Sequence, residues 1–148
     1  MKYLVDTNVL LRWSDENHPC HEECGNAVDQ LVARGDRVYT CAQVLVEYWV
    51  VATRPRSVNG FGLDPSYAGS YLAKARRVFI CLPELPDMAD RWERVVTEHK
   101  VLGRQAHDAR LVALMLSHGI SHLLTLNTSD FTRYPEITPL TPAEVLSL

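Results

Sequence analysis

The segment KYLVDTN, residues 2–8, is the strongest indicator of the type of fold. Lys2 to Val5 has the length and apolar content of a short buried strand, whereas Asp6, Thr7 and Asn8 are residues that favour the start of a helix. An apolar run, Val9 to Trp13, follows at once. The segment therefore predicts a strand that turns directly into a helix.

The same alternation continues along the chain. Further strands are predicted at Arg37 to Thr40, Val78 to Leu82, His122 to Leu126 and Thr138 to Leu140. Helices are predicted at Pro19 to Arg34, Ala42 to Ala52, Pro65 to about Arg77, Asp87 to His99 and Ala106 to His118. Such alternation is typical of a parallel sheet with helices on both faces. We expect a single three-layer α/β/α domain over residues 1–148, with a mostly parallel sheet of four to five strands.

Two segments between these elements need a separate interpretation. Ala42 to Ala52 is rich in β-branched and aromatic residues, but it is too long for a typical buried strand, and we interpret it as a buried helix. Arg54 to Asp64 contains Pro55, an Asn-Gly pair and a further glycine, which predicts a flexible loop.

The composition excludes several classes of protein. The 148 residues are 47% hydrophobic and carry a formal net charge of −3, as expected for an ordinary globular domain and not for a disordered chain. The longest apolar run, Ala42 to Ala52, is too short to cross a membrane, and Asp6 interrupts the first apolar patch before a signal peptide can form. We expect a cytoplasmic protein with no membrane segment and with reduced cysteines.

Positive charge is concentrated in the middle of the chain, where residues 52–110 carry ten basic and seven acidic side chains. The basic residues that could follow a nucleic-acid backbone are Arg54, Arg56, Lys74, Arg76 and Arg77. A solvated helix face would explain the same residues.

Four polar residues stand just after predicted strands or in the helices that follow them: Asp6, Glu47, Asp108 and Asn127. In parallel sheets, ligands bind at the carboxyl ends of the strands. The three acids also have simpler explanations. Asp6 could cap a helix, Glu47 could pair with a buried arginine, and Asp108 could interact with a helix dipole.

The three carboxylates suggest a metal site if they meet in space. Asp6, Glu47 and Asp108 would then repel one another, and a divalent cation would stabilise all three in the ionised form. A ligand set of oxygens alone favours Mg²⁺, with Mn²⁺ as a possible substitute.

Four motifs together resemble those of PIN domains, and more narrowly of VapC-type toxins from type II toxin–antitoxin pairs. They are DTNVLL at 6–11, QVLVEY at 43–48, HDARL at 107–111 and TLNTSDF at 125–131. The resemblance covers essentially the whole chain. It implies a metal-dependent endoribonuclease that is a homodimer and is inhibited by a VapB-type antitoxin.

The resemblance also assigns roles to individual residues. Asp6, Glu47 and Asp108 match the three acidic metal ligands of the family, and Thr7 matches a hydroxyl beside the first of them. Asn127 stands where many relatives have a fourth acid, and Asp130 is near enough to contribute a carboxylate instead. This pattern implies one well-held Mg²⁺, with a second ion arriving together with RNA phosphate.

Two other functions are compatible with parts of the sequence. A phosphoacceptor receiver domain shares the alternating order, but such domains carry an aspartate after the third strand, where this chain has Pro83. A catalytically weak or inactive PIN fold that binds RNA or protein is the second alternative. The three retained carboxylates argue against it, whereas Asn127 keeps it open.

Overall fold

The structure is a computed structural model that describes residues 1–148, and a five-stranded sheet lies at its centre. The strands are β1 (Lys2–Val5), β2 (Arg37–Cys41), β3 (Ile80–Leu82), β4 (His122–Leu124) and β5 (Thr138–Leu140). They are arranged in the order β3-β2-β1-β4-β5, and all four pairings are parallel. The predicted α/β architecture is therefore confirmed.

The first strand occupies the middle of the sheet, where three of its four residues are fully buried. Leu4 lies opposite Tyr39 of β2 on one side and opposite Leu123 of β4 on the other. The chain builds β2 and β3 towards one edge and then returns to place β4 and β5 on the opposite side. The order of the strands thus reverses at β1 and β4, and such a reversal opens a crevice at their carboxyl ends.

Seven α-helices flank the sheet. They are α1 (Thr7–Ser14), α2 (His21–Ala33), α3 (Ala42–Thr53), α4 (Pro65–Val78), α5 (Met88–Glu98), α6 (Ala106–Ser117) and α7 (Pro142–Leu146). Helix α1 packs against α2 and α3, α2 packs against α7, and α5 packs against α6. The sheet and helices share one hydrophobic core of 35 buried residues. None of the helices is both long and apolar enough to cross a membrane.

Helix α3 forms where it was predicted, but the prediction that it is buried is wrong. Val46 and Val50 on its outer side are 63% and 51% exposed, whereas Val44 and Tyr48 are buried. Apolar residues on both sides of the helix concealed this asymmetry in the sequence. Glu47 is therefore half-buried at the border between the two faces.

The loop after α3 contains a short helical turn, Arg56–Val58, and is hydrogen-bonded to the end of α3. The amides of Phe61 and Leu63 donate to the carbonyls of Val51 and Ala52, at 2.9 and 2.8 Å, which ties the loop to the end of α3. Gly60 packs directly on the preceding chain, and a Cβ there would lie 1.8 Å from the carbonyl oxygen of Arg54. The glycine thus permits a close approach of the two segments.

Candidate active site

Asp6 lies where β1 ends and is the N-cap residue of α1. Its Oδ1 accepts a hydrogen bond from the Thr7 amide at 2.7 Å, so the predicted capping role is real. Its Oδ2 faces the neighbouring strand end, where it accepts from the hydroxyl of Thr125 at 2.7 Å. Burial raises the pKa of Asp6 above its ordinary value, and the bonds from Thr125 and Thr7 oppose that rise.

Thr125 and Asn8 hold this carboxylate in place, and sequence reasoning missed both roles. The buried Thr125 hydroxyl donates to Asp6 and accepts from Nδ2 of Asn8 and from the amide of Asn127, which uses its full hydrogen-bonding capacity. Nδ2 of Asn8 also donates to Oδ2 of Asp6, at 3.1 Å. A hydroxyl directly after an apolar strand was the available signal for Thr125.

Glu47 approaches the same point from α3. Its Oε2 accepts from the hydroxyl of Thr7 at 2.7 Å, so Thr7 contacts both Asp6 and Glu47. Its Oε1 accepts from Nε2 of Gln43 at 3.1 Å, since residues four apart share a helix face. The expected alternative, an ion pair with a buried arginine, is not observed, because none of the four ion pairs includes Glu47.

Asp108 stands in the first turn of α6. Burial raises its pKa to about 6, and the nearby negative charges of Asp6, Asp130 and Glu47 add to the rise. His107 has a smaller, opposing effect. The structure therefore brings all three predicted acids into one electrostatic cluster, together with Asp130.

An open cleft of about 650 Å³ lies beside this cluster, and no hydrophobic residue lines it. Its lining residues are Glu47, Arg54, Arg104, Gln105, His107, Asp108 and Asp130. Asp6 is not among them and connects to the cleft through Thr7. Asn127 is exposed and also lies outside the lining set, so the fourth charge at this edge comes from Asp130.

Comparison with known proteins identifies the family. A profile of the PIN domain matches residues 3–137. The chain belongs to the PIN domain family. Ribonuclease VapC48 of Mycobacterium tuberculosis is 27% identical over 143 residues, which are 93% of this chain and 94% of that protein.

Solved structures show the same PIN fold. The VapBC2 complex of Rickettsia felis, bound to a DNA fragment from its promoter, contains a chain that superposes with a TM-score of 0.73 at 15% identity, over 95% of this chain and 98% of that one. VapC20 of M. tuberculosis, described as a sarcin-ricin loop cleaving toxin, gives a TM-score of 0.66 at 20% identity, over 93% and 99% of the two chains.

Of the basic residues expected to form a footprint, only Arg54 lines the acidic cleft of this PIN domain. Arg54 lines the acidic cleft, whereas Arg56 lines a different cleft beside the end of α1. Nζ of Lys74 lies 5.1 Å from the ring centroid of Trp13, and Arg76 and Arg77 are exposed on α4. Arg54 is also distinctive because its buried Nε has no hydrogen-bond partner. Arg104, which sequence reasoning missed, joins it in the cleft.

The donor set of the acidic cluster suits a hard divalent cation. All of its candidate ligands are oxygens, as Mg²⁺ and Mn²⁺ prefer. In their present positions, no three His, Cys, Asp or Glu side chains are close enough to hold an ion. The pKa of Asp108 is raised by burial and by neighbouring charges alone, and no hydrogen bond holds its carboxylate.

Proposed function

We propose that this PIN domain is a metal-dependent endoribonuclease, the toxin of a type II toxin–antitoxin pair, which hydrolyses RNA phosphodiester bonds. The observation that carries the proposal is the convergence of Asp6, Glu47 and Asp108 beside one polar cleft. Membership of the PIN family and the 27% identity to a VapC ribonuclease support it.

The proposed metal ligands are Asp6, Glu47 and Asp108, with Mg²⁺ as the ion and Mn²⁺ as a substitute. Thr7, Asn127 and Asp130 are the proposed supporting residues, of which Asp130 supplies charge to the cleft. A divalent cation bound there would lower the pKa of a coordinated water and offset the charge that develops on the phosphate during hydrolysis.

The residues of the chain have distinct tasks in this mechanism. Asp6 supplies a carboxylate whose direction is fixed by three hydrogen-bond donors, and Thr7 aligns Glu47 with it through its hydroxyl. Arg54 and Arg104 line the cleft and would bind RNA phosphates beside the acids. The two arginines position the backbone without reading bases.

The proposed protein partners are a VapB-type antitoxin and a second copy of the chain. The similarity of the fold to a chain of a VapBC complex supports the antitoxin. The exposed side chains of Val46 and Val50 supply apolar surface for a homodimer. Light scattering would measure the mass of the assembly in solution. We propose that the protein acts in the cytoplasm, where its RNA substrate lies.

The direct test is RNA cleavage by purified protein freed of antitoxin. We expect single-stranded or loop RNA to be cut with Mg²⁺ or Mn²⁺, and EDTA to stop the reaction. RNA ends mapped after brief expression without antitoxin would identify the substrate. Binding of RNA with no cleavage under any divalent cation would contradict the proposal and favour the alternative of an inactive binding module.

A further inference from the structure

A chain of side-chain hydrogen bonds runs along the rim of the acidic cluster and ends on Glu47. It begins at Glu84, just after β3, whose carboxylate accepts from Nη2 of Arg110. Nη1 of Arg110 donates to Oε1 of Gln43 at 2.9 Å. Nε2 of Gln43 then donates to Oε1 of Glu47 at 3.1 Å. Arg110 thus connects to the candidate metal ligand through one intervening amide.

The partners of Gln43 determine which way its amide points. Arginine has only donors, so the atom that faces Arg110 must be the carbonyl oxygen. A carboxylate and a backbone carbonyl have only acceptors, so the atom that faces them must be the nitrogen. A flipped amide would lose all three bonds. Arg110 therefore keeps the donating side of Gln43 directed at Glu47.

Gln43 makes a second contact that links two candidate ligands. The same Nε2 that binds Glu47 donates to the carbonyl oxygen of His107 at 2.8 Å. That carbonyl belongs to the peptide bond that enters Asp108. One amide nitrogen therefore joins the carboxylate of α3 to the backbone that carries the acid of α6, and it limits how far the two can separate.

We propose that Gln43 and Arg110 are positioning residues that set the separation of Glu47 and Asp108 for metal binding, with Glu84 holding Arg110. The inference rests on the proposed function, because it concerns the same cation site. Groups that orient metal ligands in this way contribute about tenfold to hundredfold to affinity or activity. In this role Gln43 and Arg110 would act through Glu47 and the backbone at His107 and would not be ligands of the ion themselves.

Two substitutions break the bridge in different ways. Gln43→Glu replaces the donor nitrogen by an acceptor that faces Glu47. Arg110→Lys keeps the charge but loses the fork that reaches Gln43 and Glu84 together. For both variants we expect Mn²⁺ affinity, measured by calorimetry on the intact protein, to fall by about tenfold or more. In RNA cleavage at fixed Mn²⁺ we expect kcat to fall while KM for RNA stays near that of the wild type.

A conservative series distinguishes positioning from general packing. Glu84→Gln retains an acceptor oxygen for Arg110 and should bind Mn²⁺ more tightly than Glu84→Ala. Arg91→Lys is the matched control, because Nε of Arg91 on α5 forms an ion pair with the preceding Asp87 at 2.9 Å without contacting the cluster. We expect this control to leave both Mn²⁺ affinity and cleavage unchanged. If Gln43→Glu fails to fold, Gln43→Asn replaces it in the test, because it keeps the amide but is too short to reach the same partners.

The outcomes separate this inference from the function on which it rests. If Gln43→Glu and Arg110→Lys bind Mn²⁺ like the wild type while Asp6→Asn does not, the positioning roles are wrong and the metal site stands. If Asp6→Asn also binds Mn²⁺ normally, the metal site itself is wrong. If KM rises and Mn²⁺ affinity is unchanged, the two residues act on RNA instead, which also overturns the inference.

Discussion

The two sides of the acidic cluster are built differently. On the β1 side, the Asp6 carboxylate accepts hydrogen bonds from Thr7, Asn8 and Thr125. On the α6 side, the pKa of Asp108 is raised to about 6 by burial and by neighbouring charges, with no hydrogen bond to offset them. One carboxylate is therefore fixed by the fold, and the other is left repelled by its neighbours.

The difference offers an explanation of how the proposed cation site would be stable without its cation. Fixing every carboxylate close together would concentrate uncompensated charge, which is costly in a partly buried site. Hydrogen bonds hold Asp6 and Glu47 and would set the location of the proposed site, whereas the carboxylate of Asp108, which has none, would respond when an ion arrives. We expect changes on the fixed side to affect both stability and metal binding, and changes on the free side to affect metal binding more than the fold.

The largest effect is expected from Asp6→Asn. The amide retains an acceptor oxygen for the Thr7 amide, so α1 keeps its cap, but the ligand charge is lost. We expect RNA cleavage to fall by at least about a hundredfold, since a ligand should matter more than the groups that orient it. Asp29→Asn, at an exposed position of α2, is the control. Unchanged cleavage by Asp6→Asn would remove Asp6 from the catalytic machinery.

Thr125→Val tests the fixed side without altering charge. The substitution keeps the shape of a buried residue but leaves Oδ2 of Asp6 and the amide of Asn127 without their shared partner. We expect a loss of about 1–3 kcal/mol in the free energy of unfolding and about tenfold in Mn²⁺ affinity. Urea denaturation and calorimetry measure the two. Thr97→Val, on the exposed face of α5, is the control and should change neither quantity. If Thr125→Val lowers stability but leaves Mn²⁺ affinity intact, Thr125 has no role in the metal site.

Arg54→Met tests the cleft next to the free side. Arg54 is held by Nη2 donating to the carbonyl of Asn59 at 2.9 Å, and its side chain lines the acidic cleft. We expect weaker RNA binding and a smaller salt dependence, with the slope of log affinity against log salt reduced by about one. Arg76→Met on α4 is the control. An unchanged slope for Arg54→Met would show that this arginine does not contact phosphate.

The smallest effect is expected in the pH dependence of stability. The pKa of Asp108 rises from 3.8 to about 6 on folding, so the folded protein holds this proton more tightly than the unfolded chain. Ionisation of Asp108 therefore lowers the stability of the metal-free protein as the pH rises from 3.8 to about 6. Asp108→Asn should remove the part of this pH-dependent loss of stability that Asp108 causes. Midpoints of urea denaturation, measured below pH 3.8 and above about pH 6, would show the change. If the variant loses stability with pH to the same extent, the loss comes from Asp6 or other acids and not from Asp108.

Local sequence pattern predicted the alternation of strands and helices along the chain, and it singled out the three acids as candidates. Each acid carries a signal that neighbours in sequence can supply: Asp6 follows a strand, Glu47 interrupts an apolar run, and Asp108 begins a helix. The structure places the three in one cluster because parallel strands bring their carboxyl ends to one edge.

What the sequence could not supply are contacts between distant segments. Thr125 is an ordinary hydroxyl until β4 lies beside β1, and Gln43 is an ordinary surface amide until α6 lies beside α3. The exposure of Val46 depends equally on what α3 packs against. Periodicity describes one element at a time, so the roles that depend on pairs of elements require the fold.

The most direct measurement of the central claim is the anomalous diffraction of a crystal soaked in Mn²⁺. We expect one strong peak at the carboxyl end of β1, with oxygens of Asp6, Glu47 and Asp108 within coordination distance and the Asp108 side chain rotated towards Asp6. A peak elsewhere on the molecule, or none at a Mn²⁺ concentration that supports cleavage, would contradict the claim that these acids share an ion.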